Sequence, residues 1–148
     1  MKIAIGADHA GYELKGRLAR ALESAGHEVL DCGTHDERST DYPEWGAKVA
    51  RSVVSGAAER GVLVCGTGIG VAMAANRIRG CRAANCNDLY SVELARRHND
   101  ANVLTVGARV VAPALAESIL EVFLSTPFEG GRHQRRVEGI DALLDEPS

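Results

Sequence analysis

Gly61–Gly70 reads GVLVCGTGIG. An apolar run ends in a thiol and flows directly into a turn with glycine at alternate positions, Gly66, Gly68 and Gly70. This is the pattern of a strand passing through a tight loop into a helix. The same alternation continues on both sides. Toward the N-terminus, Lys2–Gly6 (KIAIG) is a short strand. Leu14, Leu18, Ala21, Leu22 and Ala25 then mark an amphipathic helix stopped by Gly26. His27–Cys32 (HEVLDC) is a weaker strand, and Trp45, Val49 and Val53 mark a helix entered through Asp41-Tyr42-Pro43. Toward the C-terminus, Cys81–Cys86 (CRAANC) reads as a strand, and Asp88 as the N-cap of a helix running to about Arg97. Asn102–Val106 (NVLTV) is the fifth strand. Leu115, Ile119, Val122 and Phe123 give a helix with Pro113 near its first turn, and a last helix covers about 134–144. Five strands alternating with helices predict a parallel sheet covered on both faces, forming one domain over 1–148.

The 148 residues carry 17 Lys plus Arg and 20 Asp plus Glu, a net charge of −3. That balance excludes a general nucleic-acid binder. No apolar run approaches the roughly 20 residues of a membrane span. The N-terminus MKIAIGADHAG does not read as a signal peptide. Without an export signal, the four cysteines are expected to be reduced thiols in the cytoplasm.

Parallel sheets bind ligands beyond the carboxyl ends of their strands. Asp8 and His9 follow strand one, Cys65 and the glycine loop strand three, Asn87 and Asp88 strand four, and Arg109 strand five. Reactive groups therefore collect on one edge. Loop amides at a helix start can hold an anion. Val71 stands where a dinucleotide fingerprint needs its last glycine, and no Lys-Ser/Thr completes a P-loop. Cys65 lies just before this anion hole, where the field lowers a thiol pKa; the alternative is a small core residue. Cys32, Cys81 and Cys86 read as packing residues, and a zinc site built from them with His35 lacks the usual spacing. Asp8-His9 suits proton traffic. Arg132 and Arg136 share a helix face and could join Arg109 in a phosphate clamp, or be a solvated basic surface. His27, His35 and His133 read as surface or structural. His98-Asn99 ends the helix before strand five, at the amino edge opposite Cys65. Acting together, Cys65 and His98 must come from different chains.

The segments GADHAG (6–11), TDYP (40–43), CGTGIG (65–70), RRHNDANVLTVGARVV (96–111) and EGGRHQRRV (129–137) together resemble the type B ribose-5-phosphate isomerases. That family also holds allose-6-phosphate and galactose-6-phosphate isomerases. The resemblance implies a Rossmann-like three-layer α/β/α sandwich and a homodimer, with a tetramer as the next assembly. It implies no metal or organic cofactor, no nucleic acid and no membrane partner. It makes Cys65 the base at C2 of the sugar, with Thr67 beside the thiol. Gly66, Thr67, Gly68, Ile69 and Gly70 offer the amides that hold an enediolate oxygen. His98, delivered by the second chain, resembles the ring-opening acid, with Asn99 binding substrate beside it. Asp8 resembles the group at the sugar oxygens, and His9, Arg109, Arg132 and Arg136 the phosphate or substrate ligands. Tyr42 walls the pocket. One branch of the family carries a Glu where Val71 stands here, so this chain fits the cysteine branch. The expected reaction is ribose 5-phosphate to ribulose 5-phosphate. A hexose 6-phosphate, a tetrose phosphate or a non-catalytic sensor are the alternatives.

Overall fold

The computed structural model describes residues 1–145; the expected domain span runs to 148, and its last three residues lie outside the described ones. Strands β1 (Lys2–Ala7), β2 (Glu28–Gly33), β3 (Arg60–Cys65), β4 (Ala83–Asn85) and β5 (Val103–Gly107) form an all-parallel sheet in the order β2-β1-β3-β5-β4. Between and after them run α1 (Tyr12–Ser24), α2 (Tyr42–Val54), α3 (Ile69–Ala75), α4 (Leu89–Arg97), α5 (Pro113–Ser125) and α6 (Arg132–Ala142).

Successive strand residues point to opposite faces, and both faces are sealed. Ile3, Ile5, Val62, Val64, Leu104 and Val106 pack with Leu18 and Leu22 of α1, Val92 of α4 and Ile119 and Phe123 of α5. Ala4, Leu63, Cys65 and Val103 pack with Val49 and Val53 of α2 and Val71 and Ala75 of α3. This is the expected three-layer sandwich. Burying one Leu or Ile side chain contributes about 1.5–3 kcal/mol.

Local signals set the helix ends. Gly26 takes φ +89°, closing α1. Pro43 sits in the first turn of α2 and Pro113 in that of α5. Asp88 caps α4, its carboxylate accepting the Ser91 amide N–H at 2.6 Å. Two expectations are corrected. The fourth strand is only Ala83–Asn85, because Cys81 N–H closes a turn onto the Ile78 carbonyl instead of joining the ladder. The last helix begins at Arg132 rather than about 134, and a 3₁₀ turn, Leu143–Asp145, replaces its final α-turn.

β1 and β3 are neighbours from which the chain winds outward in opposite directions. Their carboxyl ends make the crevice in which such sheets bind ligands. The Asp8 N–H donates to the Val64 carbonyl at 3.3 Å, which places Asp8-His9 beside the loop after Cys65.

Candidate active site

β3 and β5 run in register with Cys65 opposite Gly107. Past that point the first turn after β5 grips the glycine loop. Ala108 N–H donates to the Cys65 carbonyl at 2.9 Å, and Arg109 N–H to the Gly66 carbonyl at 3.0 Å. In a trans peptide the N–H points opposite its carbonyl. Pinning these carbonyls toward β5 therefore turns the amides of Gly66 and Thr67 toward the crevice. The Gly68 N–H donates to Cys65 Sγ at 3.1 Å, and the Ile69 N–H to Thr67 Oγ1 at 3.2 Å. One backbone donor of the loop, the Gly68 N–H, thus reaches the sulfur.

Gly68 has φ +83°, and a Cβ there would strike the Asn85 side-chain oxygen and lie 2.8 Å from the Val106 carbonyl carbon. Gly68→Ala is expected to destabilise the fold by at least about 1–3 kcal/mol through backbone strain alone, measured by urea unfolding. Gly70 is bare because the Tyr42 ring lies over it; a Cβ would meet Tyr42 Cε1 and Cζ.

Asp8 is buried, and one carboxylate oxygen accepts the Ala10 and Gly11 N–H groups at 3.0 and 3.1 Å. His9 is exposed, its Nδ1 accepting the Thr40 N–H at 3.2 Å, which ties the strand-one loop to the Thr40–Tyr42 segment. A cavity of about 760 Å³ runs from this edge along α1, lined by Ala10, Tyr12, Lys15, Arg20 and Ala108, and of the site residues only Arg109 lines it. A separate apolar groove of about 460 Å³ between α1 and α5 shares no residue with the site. Cys65 itself is 5% exposed, packed against Val49, Leu63, Val71 and Ala75 at the carboxyl end of β3, and it lines neither of these cavities.

The other three cysteines behave as expected of packing residues. Burial pushes the Cys81 thiol up to about 12 and Cys86 to about 11, and raises Cys32. Cys81 and Cys86 belong to cores on opposite faces of the sheet, so the zinc reading has no site in which to converge.

His98, Asn99, Arg132 and Arg136 are not at this edge. His98 caps the C-terminus of α4 at the amino end of β5. Gly61 to Cys65 spans about 13 Å at 3.3 Å per residue, so the imidazole lies the full depth of the sheet from the thiol. The His98 ring stacks on His133 of α6, centroids 4.2 Å apart and planes 11° from parallel. The Glu129 N–H donates to the Arg97 carbonyl at 3.0 Å, fixing the entry to α6 on the same side. Arg132 and Arg136 project from this helix, exposed. The one-chain clamp with Arg109 is therefore not assembled: Arg109 belongs to the carboxyl edge, the other two arginines to the amino edge.

His133 is buried and stacked on His98, the structural rather than the surface alternative. Burial first, and then His98 beside it, hold its imidazole below the ordinary histidine range. His98, Glu129 and His133 bring three donor atoms within 4.8 Å of one another. A metal must lie in the plane of each imidazole that binds it. Near-parallel stacked planes share no such point, so this arrangement is not a formed metal site.

A parallel α/β sheet with a cysteine and a glycine loop beside its switch point has the layout in which α/β proteins bind small ligands. The chain belongs to the ribose/galactose isomerase family, whose model matches residues 3–140. It is 47% identical over 142 residues to ribose-5-phosphate isomerase B of Escherichia coli, covering 96% of this chain and 95% of that one. It is 39% identical to galactose-6-phosphate isomerase subunit LacB of Clostridium acetobutylicum, covering 98% of this chain and 84% of that one. Among solved structures, Clostridium thermocellum ribose-5-phosphate isomerase B superposes with a TM-score of 0.97 at 48% identity, over 98% of both chains.

Proposed function

We propose that the protein interconverts ribose 5-phosphate and ribulose 5-phosphate, with Cys65 as the base that moves the C2 proton. The observation that carries this reading is the Gly68 N–H directed at Cys65 Sγ, 3.1 Å away, inside a loop whose amides face the crevice. A thiolate removes the proton from C2 of the open-chain aldehyde. The C–H electron pair becomes the C1=C2 bond, and O1 becomes anionic. The loop amides stabilise that oxygen; each such donor is worth roughly 3–4 kcal/mol in comparable sites. The thiol then returns its proton to C1, and the O2 hydroxyl proton passes to O1, leaving the ketone at C2.

The closed sugar must first be opened. His98 of a second copy of the chain serves as the acid, because His98 of the same chain lies at the opposite edge. Asn99 binds substrate beside it, and Asp8, His9 and Tyr42 line the sugar end. Arg109 meets the phosphate from the thiol's own chain, and Arg132 and Arg136 reach it from the second chain with His98. Ile69, Met73, Leu89 and Tyr90 support the dimer: these large apolar side chains near the loop are 46–73% exposed in one chain, and burying them against a partner is favourable. A reduced thiol base fits a reducing compartment, the cytoplasm. Among the described residues, no helix is long and apolar enough to cross a membrane.

A turnover panel across four-, five- and six-carbon sugar phosphates tests the substrate. Ribose 5-phosphate is expected to give the highest kcat/KM. Preference for galactose or allose 6-phosphate would move the assignment within the family, and binding of all without turnover would make the protein a sensor. Arg136→Ala is expected to raise KM for the phosphorylated sugar about 10- to 100-fold with little change in kcat. A charge-assisted contact of about 1.5–3 kcal/mol is lost in ground and transition states alike. An unchanged KM would return Arg136 to the solvated surface.

A further inference from the structure

Thr105 stands in the middle of β5, fully buried, within the apolar run VLTVG. A hydroxyl in such a place must find a partner or cost stability. Its Oγ1 donates to the Gly68 carbonyl at 2.7 Å, with Asn85 Oδ1, a second and more distant acceptor, 3.3 Å from the same hydroxyl. Gly68 is the residue whose N–H is directed at Cys65 Sγ, and it is held in the left-handed region at φ +83°.

We propose that Thr105 is a positioning residue for the isomerisation: its hydroxyl holds the Gly68 carbonyl so that the Gly68 N–H stays directed at the Cys65 sulfur. The proposal rests on Cys65 being the base. Three contacts along one edge make the case. The Cys65 and Gly66 carbonyls are taken by the N–H groups of Ala108 and Arg109, and the Gly68 carbonyl by Thr105. The first two grips are backbone contacts that any sequence could supply. The third is a side chain, and it falls on the peptide flanking the N–H that meets sulfur. The same carbonyl also accepts the Ala72 N–H of α3, at 3.4 Å, a longer contact than the hydroxyl's. Without Thr105, Gly68, free of a Cβ, is held only by that contact and its N–H shifts relative to the thiol. Asn87 supports the same arrangement from the end of β4, its Oδ1 accepting the Gly107 N–H at 2.9 Å. Thr105 touches neither substrate nor reacting atom, so its effect belongs to the state of the thiol rather than to sugar binding.

The test compares Thr105→Val, Thr105→Ser and the parent in the full chain, with circular dichroism and urea midpoints to verify folding. Three properties are followed beside KM for ribose 5-phosphate: kcat, the pH at which kcat falls on the acid side, and the pH dependence of Cys65 alkylation by iodoacetamide. Thr105→Val keeps the shape and removes the donor. Its kcat is expected to drop at least 10-fold, with KM within about threefold. The acid limb and the alkylation profile should both move to higher pH, and Thr105→Ser should restore all three. A Val variant with the parent's limb and alkylation profile would overturn the proposal, as would a Ser variant no better than Val. If Val does not fold, Thr105→Ser against Thr105→Ala gives the same comparison, with the same result required. Failure of the underlying reading looks different: Cys65→Ala would then retain turnover whatever Thr105 does.

Discussion

Cys65→Ala is expected to abolish proton exchange at C2 while leaving sugar-phosphate binding close to that of the parent. Turnover should fall by at least about 10²–10⁴, the contribution of a positioned general base. Binding survives because the arginines and the loop amides that hold the ligand do not depend on the sulfur. The fold survives because alanine removes one heavy atom from a residue already small, at the rim of a core whose main mass is Leu63, Val49 and Val71. Exchange of the C2 proton into deuterated water, monitored by NMR, separates the proton-transfer step from ring opening and product release. Binding is read by calorimetry on the same preparation. Retained exchange in the alanine variant would remove Cys65 as the base, and with it the role of its loop.

Mixing Cys65→Ala chains with His98→Ala chains, each inactive alone, is expected to recover activity. In the mixed dimer one site inherits both lesions, and the other joins the intact thiol to the intact imidazole. Random pairing of equal amounts makes half the dimers mixed, so about one quarter of the parental activity should return. The expectation comes from the depth of the sheet. Cys65 pairs with Gly107 at the carboxyl end of β5, whereas His98 lies beyond Val103 at the other end. No side chain spans that distance within one chain. Subunit exchange is verified with differently tagged chains. No recovery after proven exchange would return His98 to its stacked place on His133 as a structural residue.

The site is unevenly legible in the sequence. Cys65, the glycine loop, Asp8, His9 and Arg109 can be placed at one edge by topology alone, because the residues after a parallel strand emerge on a known side of the sheet. The same logic puts His98 at the other edge, and the structure agrees. Arg132 and Arg136 cannot be placed this way, since the position of a last helix depends on what it packs against. The His133 ring on His98 and the Glu129–Arg97 backbone contact decide it. Thr105 is not legible at all. Within NVLTV the threonine reads as an ordinary strand residue, and its one clue, a lone hydroxyl on an inward-facing position, acquires meaning only when a carbonyl is found opposite it.

Periodicity, glycine placement and the cap at Asp88 settled the order of elements and the edge at which chemistry collects, because both arise from interactions between residues near each other in the chain. Tertiary structure alone settled which neighbours those edges receive. That Gly68 leans on Thr105, that Cys81 and Cys86 face opposite cores, and that Arg109 parts from Arg132 and Arg136 all depend on contacts between residues distant in sequence, and local spacing carries no record of them.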